Sequence, residues 1–421
     1  MSSIGSKLKF KRKQKKLTQA ELAEGLVNRS YISQIEKGIV TPSYKIVVSL
    51  AKRLGEDISY FIEEQEVDLL TITDIQRNLK NAIVYIELNE WKKAEENILK
   101  ISEEYLKKLD LREKGMYYWV LGEVFLFYKD WEKSIEFLER SRNNLIVRGD
   151  ESDLIKCLNS LAKANMNNKN NEEALEILTE AGYLLIKNQI NNVLKIEVLL
   201  NMAVCHGKIG EFHSAIRLCK EAIYINSMTN TNYKSGELFM TLGICYKKSG
   251  DLRKALEFYL KAEKFFEIFE SKFNLAATLI NLGILFRETQ EFNVALTFIE
   301  RAKIQFQELN DDYQVCNCYV ELVRTYISNN NSSIAEEIAF ESIKMIPESF
   351  PYLRKQVFEA LSEIFLVKND LRNALAYLEQ AEELTPKSSN TDLTIKKARI
   401  YLKMGDFKIA AELFNLSLTS S

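Results

Sequence analysis

The chain has 421 residues, 46% of them hydrophobic, with only 15 Gly and 4 Pro and a formal charge of -2. The length exceeds one small core and fits two or three domains, or one small domain joined to a repeat array, and the scarcity of Gly and Pro argues for helices with few tight turns. The near-neutral balance hides an asymmetry: residues 1–55 hold twelve Lys/Arg against three Asp/Glu, leaving -11 on the rest, so an anionic partner is expected at one end only.

No run of about 18 apolar residues exists, so no membrane span is expected, and the basic N-terminus is not followed by the apolar segment of a signal peptide. Cys157, Cys205, Cys219, Cys245, Cys316 and Cys318 lie in apolar helical stretches without a C-x-x-C pair. Reduced core thiols in a cytoplasmic protein are expected, with no metal or disulfide. The two histidines, His206 and His213, belong to no H-E-x-x-H motif, and no P-loop or nucleophile elbow occurs. We therefore expect no enzyme, no catalytic residue and no cofactor.

In chain order, Ile4 to Lys16 reads as a basic amphipathic helix with Ile4, Leu8 and Phe10 facing inward. Lys7, Lys11, Lys13, Lys15 and Lys16 are candidates for phosphate contacts, and Arg12 for an internal pair with Glu36. Thr18 with Glu21 three residues on forms a capping box, and Leu22, Ala23 and Leu26 supply the buried stripe of a second helix. Asn28 caps a third helix, which Gly38 ends. At about 100° per residue, Ile32 and Ile35 share one face of it. Ser30, Ser33, Gln34 and Lys37 share the opposite face, with Arg29 at its N-terminal edge. Gln and Arg bond bidentately to base edges and Ser adapts to several, so this face suits a DNA major groove. Gln19 is placed to bond a backbone phosphate beside a helix N-terminus. Thr41-Pro42 reads as N-cap and first position of a fourth helix, closed by Gly55, and Ile58 to Ile62 as a fifth.

These residues carry a resemblance. Leu17-Thr18-Gln19 with Glu21-Leu22-Ala23, then Ile32 to Gly38, Pro42, and Leu50-Ala51 with Leu54-Gly55 are similar to the Xre (Cro/C1-type) helix-turn-helix domain. The resemblance implies a dimer on palindromic DNA, contacted through Gln19, Arg29, Ser30, Ser33 and Gln34. Residues 1–64 are assigned to this domain and 65–75 to a linker.

Residues 76–421 repeat themselves. Small residues recur at Ala94, Ser134, Ala174, Ala215, Ala255, Ala295, Ala335, Ala374 and Ala410, at steps of 36 to 41 residues. Nine residues before most of them stands a bulky ring: Phe125, Tyr246, Phe286, Tyr326, Phe365, Tyr401. Three residues before the ring come Leu121-Gly122, Leu242-Gly243 and Leu282-Gly283. A ring on one helix of a hairpin is expected to face the small residues, or the pair cannot close. The pattern L-G-x-x-[YF], Ala, Tyr259/Ile299/Phe414, Ala262/Ala302 resembles tetratricopeptide repeats. The period departs from theirs, about 34 residues, and we place the excess between units, in FFEIFESKFNL and QFQELNDDYQV, as longer helices. The expected fold is all-α: a five-helix helix-turn-helix domain, then a right-handed superhelix of about nine helical hairpins.

In such repeats the first helix of each hairpin lines the groove. One recurrent inward position holds Asn201, Thr241, Asn281 and Glu321; a turn away lie Glu237, Asn317, Lys247, Arg287 and Arg324. An Asn amide donates to a peptide C=O and accepts from its N–H at once, so a ladder of them grips an extended backbone. Lys and Arg suit a carboxylate. These nine are the candidate peptide-binding residues.

The combined plan resembles the peptide-responsive quorum-sensing regulators of Gram-positive bacteria, the group that includes Rgg, NprR, PlcR and PrgX, and is closest in plan to NprR. The resemblance implies a short secreted peptide, re-imported into the cytoplasm and bound in the groove, and a homo-oligomer assembled partly through the array. Two alternatives stand: a protein-docking regulator, as in the related Rap proteins that bind a response regulator or DNA-binding partner, and a phage-type repressor whose array only dimerises it.

Overall fold

The computed structural model describes residues 4–61, 64–148, 150–384 and 391–419. Every regular element among them is helical, and the chain divides into two compact units, Met1–Asn201 and Met202–Ser421.

The first unit opens with α1 (Ile4–Gln14), α2 (Gln19–Ala23), α3 (Arg29–Glu36) and α4 (Tyr44–Leu54), then a 3-10 turn at Ile58–Tyr60. Leu8, Leu22, Ala23, Ile32, Ile35, Val47, Leu50, Ala51, Leu54 and Phe61 close one core around α3, each large side chain contributing about 1.5–3 kcal/mol by leaving water. The capping box forms at Thr18 and Glu21, and Asn28 Oδ1 accepts from the Tyr31 N–H at 2.7 Å. Gly38 and Gly55 take the left-handed conformation that ends α3 and α4. Three expectations need correction. Phe10 points outward, 61% exposed; it sits two residues after Leu8, about 200° round the helix. The fourth helix starts at Tyr44 behind Ser43, not at Pro42, because the fixed φ of Pro suits an extended approach as well as a first turn. The fifth helix is only the 3-10 turn; Ile62 lies outside the described residues.

Residues 65–75, read above as a linker, fall within the range of α5 (Glu64–Glu87). The first unit continues with α6 (Trp91–Ile98), the one-turn α7 (Glu103–Leu106), α8 (Leu111–Phe127), α9 (Trp131–Arg148), α10 (Glu151–Asn167) and α11 (Asn171–Lys187). The division between units falls inside α12 (Val193–Lys208). The second unit holds α13 (Phe212–Thr229), α14 (Ser235–Lys248), α15 (Leu252–Ile268), α16 (Lys272–Glu288), α17 (Phe292–Glu308), α18 (Asp312–Ser328), α19 (Ser332–Met345), α20 (Pro351–Val367), α21 (Leu371–Glu383), α22 (Thr391–Met404) and α23 (Phe407–Thr419).

All nine recurring small residues, Ala94 to Ala410, are 0% exposed. The ring on the first helix of a hairpin stacks on a second ring three residues after the small position. Phe125 lies on Phe137, Tyr246 on Phe258, Phe286 on Phe298 and Phe365 on Tyr377, with centroids 5.4–5.5 Å apart and planes within 20°. The glycines serve the residue one further along. A Cβ on Gly122, Gly243 or Gly283 would stand 2.4–2.5 Å from Leu138, Tyr259 or Ile299, so only a bare backbone lets the two helices approach.

The period has a simple geometry. α16, α17 and α18 each run 17 residues and are joined by three-residue links, so a two-helix unit takes 40. In each link one residue is left-handed: Gln290 (φ 64°) and Asn310 (φ 54°), with Glu270 and Asn330 continuing the series at 20-residue spacing. All six cysteines are free and buried; burial pushes the Cys157 thiol up to about 12 and the Cys245 thiol up to about 11, which keeps both protonated and inert.

Candidate DNA-contacting face and groove residues

In α3, Ile32 and Ile35 are buried at 0% and 1%, while Arg29, Ser30 and Lys37 are exposed and Ser33 and Gln34 half-buried. The structure thus brings the six predicted DNA-contacting residues, Gln19 included, to two adjoining helices and leaves most of their polar groups open.

The back of this face is fixed by one carboxylate. Glu36 Oε1 accepts from Arg12 Nε at 2.5 Å and its Oε2 from Arg12 Nη2 at 3.0 Å, a bidentate fork whose two side chains are 11% and 3% exposed. Gln19 Nε2 donates to Glu36 Oε2 at 2.9 Å, and Arg12 Nη1 donates to the Leu17 carbonyl at 2.7 Å. Burial pushes the Glu36 carboxyl up, but the hydrogen bonds from Arg12 and Gln19 and the Arg12 charge outweigh it and hold it below the usual carboxylate range. The hydrogen bond to Glu36 raises the Arg12 guanidinium. The Gln19 amide keeps a second N–H for a phosphate oxygen. Since α2 has only five residues, that N–H, rather than a helix dipole, is the donor to count on.

Of the N-terminal lysines, two are engaged within the fold. Lys11 pairs with Glu56 at 2.9 Å and lies 4.5 Å from the Tyr60 ring centroid, and Lys7 Nζ donates to the Phe61 carbonyl at 3.4 Å. Lys13, Lys15 and Lys16 are exposed. Gly5 was not singled out in the sequence, yet a Cβ there would sit 2.0 Å from the Ile35 carbonyl oxygen. The close approach of α1 to the end of α3 depends on it, and only the lone Gly in a polar run hinted at this.

In the second unit, α14, α16, α18 and α20 contact one another in series, so the first helices of successive hairpins form one face. Eight of the nine predicted groove residues lie there, and each is half-buried or buried. They are not equally available. Glu321, 5% exposed, accepts from Arg287 Nη1 at 2.6 Å on one oxygen and from Arg324 Nη1 at 2.8 Å on the other. It acts as the anchor that sets two guanidinium groups side by side. Thr241, 7% exposed, donates its hydroxyl to the Glu237 carbonyl at 2.8 Å. Asn281 gives one N–H to the Ala277 carbonyl at 3.1 Å and retains the other N–H and its Oδ1. Lys247 holds Glu288 at 3.2 Å, Glu237 holds Lys234 at 3.1 Å, and Asn317 Nδ2 lies 3.4 Å from Gln314 Oε1.

Asn201 belongs to the first unit, where its Nδ2 donates to Asn159 Oδ1 at 2.7 Å and Asn159 Nδ2 donates in turn to Glu197 Oε2 at 3.3 Å. Asn159 was missed: it is 2% exposed on a helix whose buried face also holds Asp153, Ser160 and Asn165. Polar residues at core spacing in α10 were the available signal. Of the two histidines, His206 Nδ1 lies 2.7 Å from Glu211 Oε2, and His213 is exposed. No group of three or more metal-ligating side chains occurs among the described residues, and no described helix is long and apolar enough to cross a membrane.

Residues 8–61 match the helix-turn-helix family and residues 236–265 the tetratricopeptide repeat family. The immunity repressor protein of Bacillus phage phi105 is 36% identical over 64 residues, which are 15% of this chain and 44% of the repressor, so the chain spans less than half the length of that relative. Among solved structures, the apo form of the quorum sensor NprR from B. thuringiensis is 13% identical and aligns over 83% of this chain and 99% of its own, with a TM-score of 0.64. A Rap protein complexed with competence and sporulation factor is 15% identical over 83% of this chain and 98% of its own, TM-score 0.59. NprR in complex with its cognate peptide NprX is 13% identical over 85% and 98%, TM-score 0.58. At these identities the likeness is one of fold. The chain is thus an Xre-type helix-turn-helix domain followed by tetratricopeptide-type hairpins.

Proposed function

We propose that the chain is a cytoplasmic transcriptional regulator that binds palindromic DNA as a homodimer and is controlled by a short signalling peptide held along the first helices of the array. The domain boundaries at 64 and 75 belong to this reading. The observation that carries it is the row of polar groups on α14, α16 and α18, with Thr241, Asn281 and Glu321 one repeat apart and the Asn281 amide still able to donate and accept. A ladder of that kind grips a backbone whatever its side chains.

In this reading Arg29, Ser30, Ser33, Gln34 and Lys37 meet the major groove and Gln19 a phosphate. Peptide contacts shared by several first helices shift each joint slightly, and the shifts add along a stacked array. The two DNA-binding domains of a dimer then change spacing relative to half-sites about one helical turn apart. The alternative, a regulator that docks a protein in the manner of Rap, uses the same array without a peptide. The test is retention of a randomised heptapeptide pool by the full chain, read by mass spectrometry after gel filtration. Wild type is expected to retain peptides, and Asn281→Ala to retain at least tenfold less while binding DNA as before. No retention by wild type would refute peptide control and favour docking.

A further inference from the structure

At the end of the second unit, α18, α20 and α22 with Leu378 of α21 line a cavity of about 380 Å³. Two polar side chains on its wall are buried and unmatched. Gln356 is 9% exposed and Ser362 4%, and neither side chain has a hydrogen-bond partner among the described residues. Neither polar end is sealed from solvent, so both face a space that water fills and a ligand can enter. Arg399, on the same wall, is exposed and has no ion-pair partner among the described residues. Its neighbours on the wall differ: Arg324 is held by Glu321, and Lys396 by Glu359 and Asp392. Leu366, Leu378 and Ile400 supply an apolar side.

We propose that this cavity seats the carboxy-terminal residue of an extended peptide. The Arg399 guanidinium forks the terminal carboxylate. The Gln356 amide donates to the last peptide C=O and accepts from its N–H, as one amide can. Leu366, Leu378 and Ile400 cover an apolar side chain, and Glu363 on the same wall disfavours an acidic one. The volume lies at the small end of ligand sites, roughly 300–1,000 Å³, which fits a terminal residue and not a long segment. The proposal rests on the peptide reading above and adds a direction to it: the peptide's C-terminus lies toward α22.

The test uses two synthetic heptapeptide pools, randomised except for a final Leu and identical except that one ends in a free acid and the other in an amide. The full chain is expected to retain the acid pool at least tenfold better. Arg399→Ala lowers acid retention to the amide level with DNA binding unchanged. Gln356→Leu lowers acid retention while leaving thermal stability at or above that of wild type, which separates ligand contact from damage to the fold. Equal retention of acid and amide by wild type overturns this inference and leaves peptide binding standing. Retention of neither pool overturns both. Acid retention unchanged in both variants, or free leucine displacing the acid pool as well as an equimolar peptide does, removes the peptide terminus from this cavity.

Discussion

Arg287 on α16 reaches across one repeat to Glu321 on α18, Nη1 to Oε2 at 2.6 Å, with the carboxylate side chain 6% exposed and the guanidinium 16%. The pair therefore joins two consecutive hairpins through charges that are almost out of water. Removing Arg287 strips one oxygen of the buried Glu321 of its partner and leaves Arg324 on the other, so the loss falls below that of a wholly uncompensated charge. Arg287→Met is expected to lower stability by about 1–2 kcal/mol, read as a drop in urea midpoint at unchanged slope. Arg287→Met with Glu321→Met should recover at least half of that loss, because two apolar side chains replace the pair and the Arg324 it releases is 39% exposed to water. A double variant no better than the single would show that the pair matters for its geometry and not for its charge balance.

Gln290 is held at φ 64° in the link between α16 and α17. A non-glycine residue there is disfavoured by roughly 1–2 kcal/mol, because its Cβ crowds the following carbonyl. Gln290→Gly is expected to raise stability by about 1 kcal/mol, and Gln290→Ala, which keeps the Cβ, to stay within about 0.5 kcal/mol of wild type. Urea midpoints of the three proteins settle the order.

The same link explains what the sequence did and did not disclose. The repeat was readable because a hairpin tolerates only a small residue at one buried position, so Ala or Ser recurs from Ala94 to Ala410. The links were not, because Glu270, Gln290, Asn310 and Asn330 take left-handed conformations without the Gly that normally announces one. The polar outer face of α3 followed from the helical period alone, since Ile32 and Ile35 fix which way α3 turns. What period cannot supply is contact between distant residues. Glu36 holding Gln19, Gly5 against Ile35, Asn159 beneath Asn201 and Phe286 stacked on Phe298 all required the third dimension. For the groove, the sequence placed Arg287, Glu321 and Arg324 on one surface but could not distinguish the anchor from the groups it anchors.

Glu36 gives the helix-turn-helix domain an acid limit. Its folded pKa lies below the unfolded value of about 4.3. The stabilisation is therefore complete above pH 4.3 and lost as pH falls through the lower folded pKa. Glu36→Gln is expected to weaken amide-exchange protection across residues 19–36 by about 3 kcal/mol at pH 7, the scale for breaking a buried pair. The gap between variant and wild type should stay level down to about pH 5 and close at lower pH. A gap independent of pH from 7 to 3 would mean that the Gln19 and Arg12 contacts act through shape and not through the carboxylate charge.

Gln34 is half-buried beside the exposed Ser30 and Lys37 on the outer side of α3, about 100° round the helix from Ile35. Its amide has the donor–acceptor pair that matches adenine in a major groove. Lys37 has only a charge to offer, so the two positions should fail differently. Gln34→Ala is expected to lower affinity for a selected site by about 1–3 kcal/mol and to flatten base preference at one or two positions. Lys37→Ala should weaken binding almost equally on selected and scrambled DNA and reduce the salt slope by about one. Selection from a random duplex library followed by salt titration separates the two outcomes. If Gln34→Ala left base preference unchanged and altered only the salt slope, α3 would lie along the backbone and the reading helix would have to be sought elsewhere in the domain.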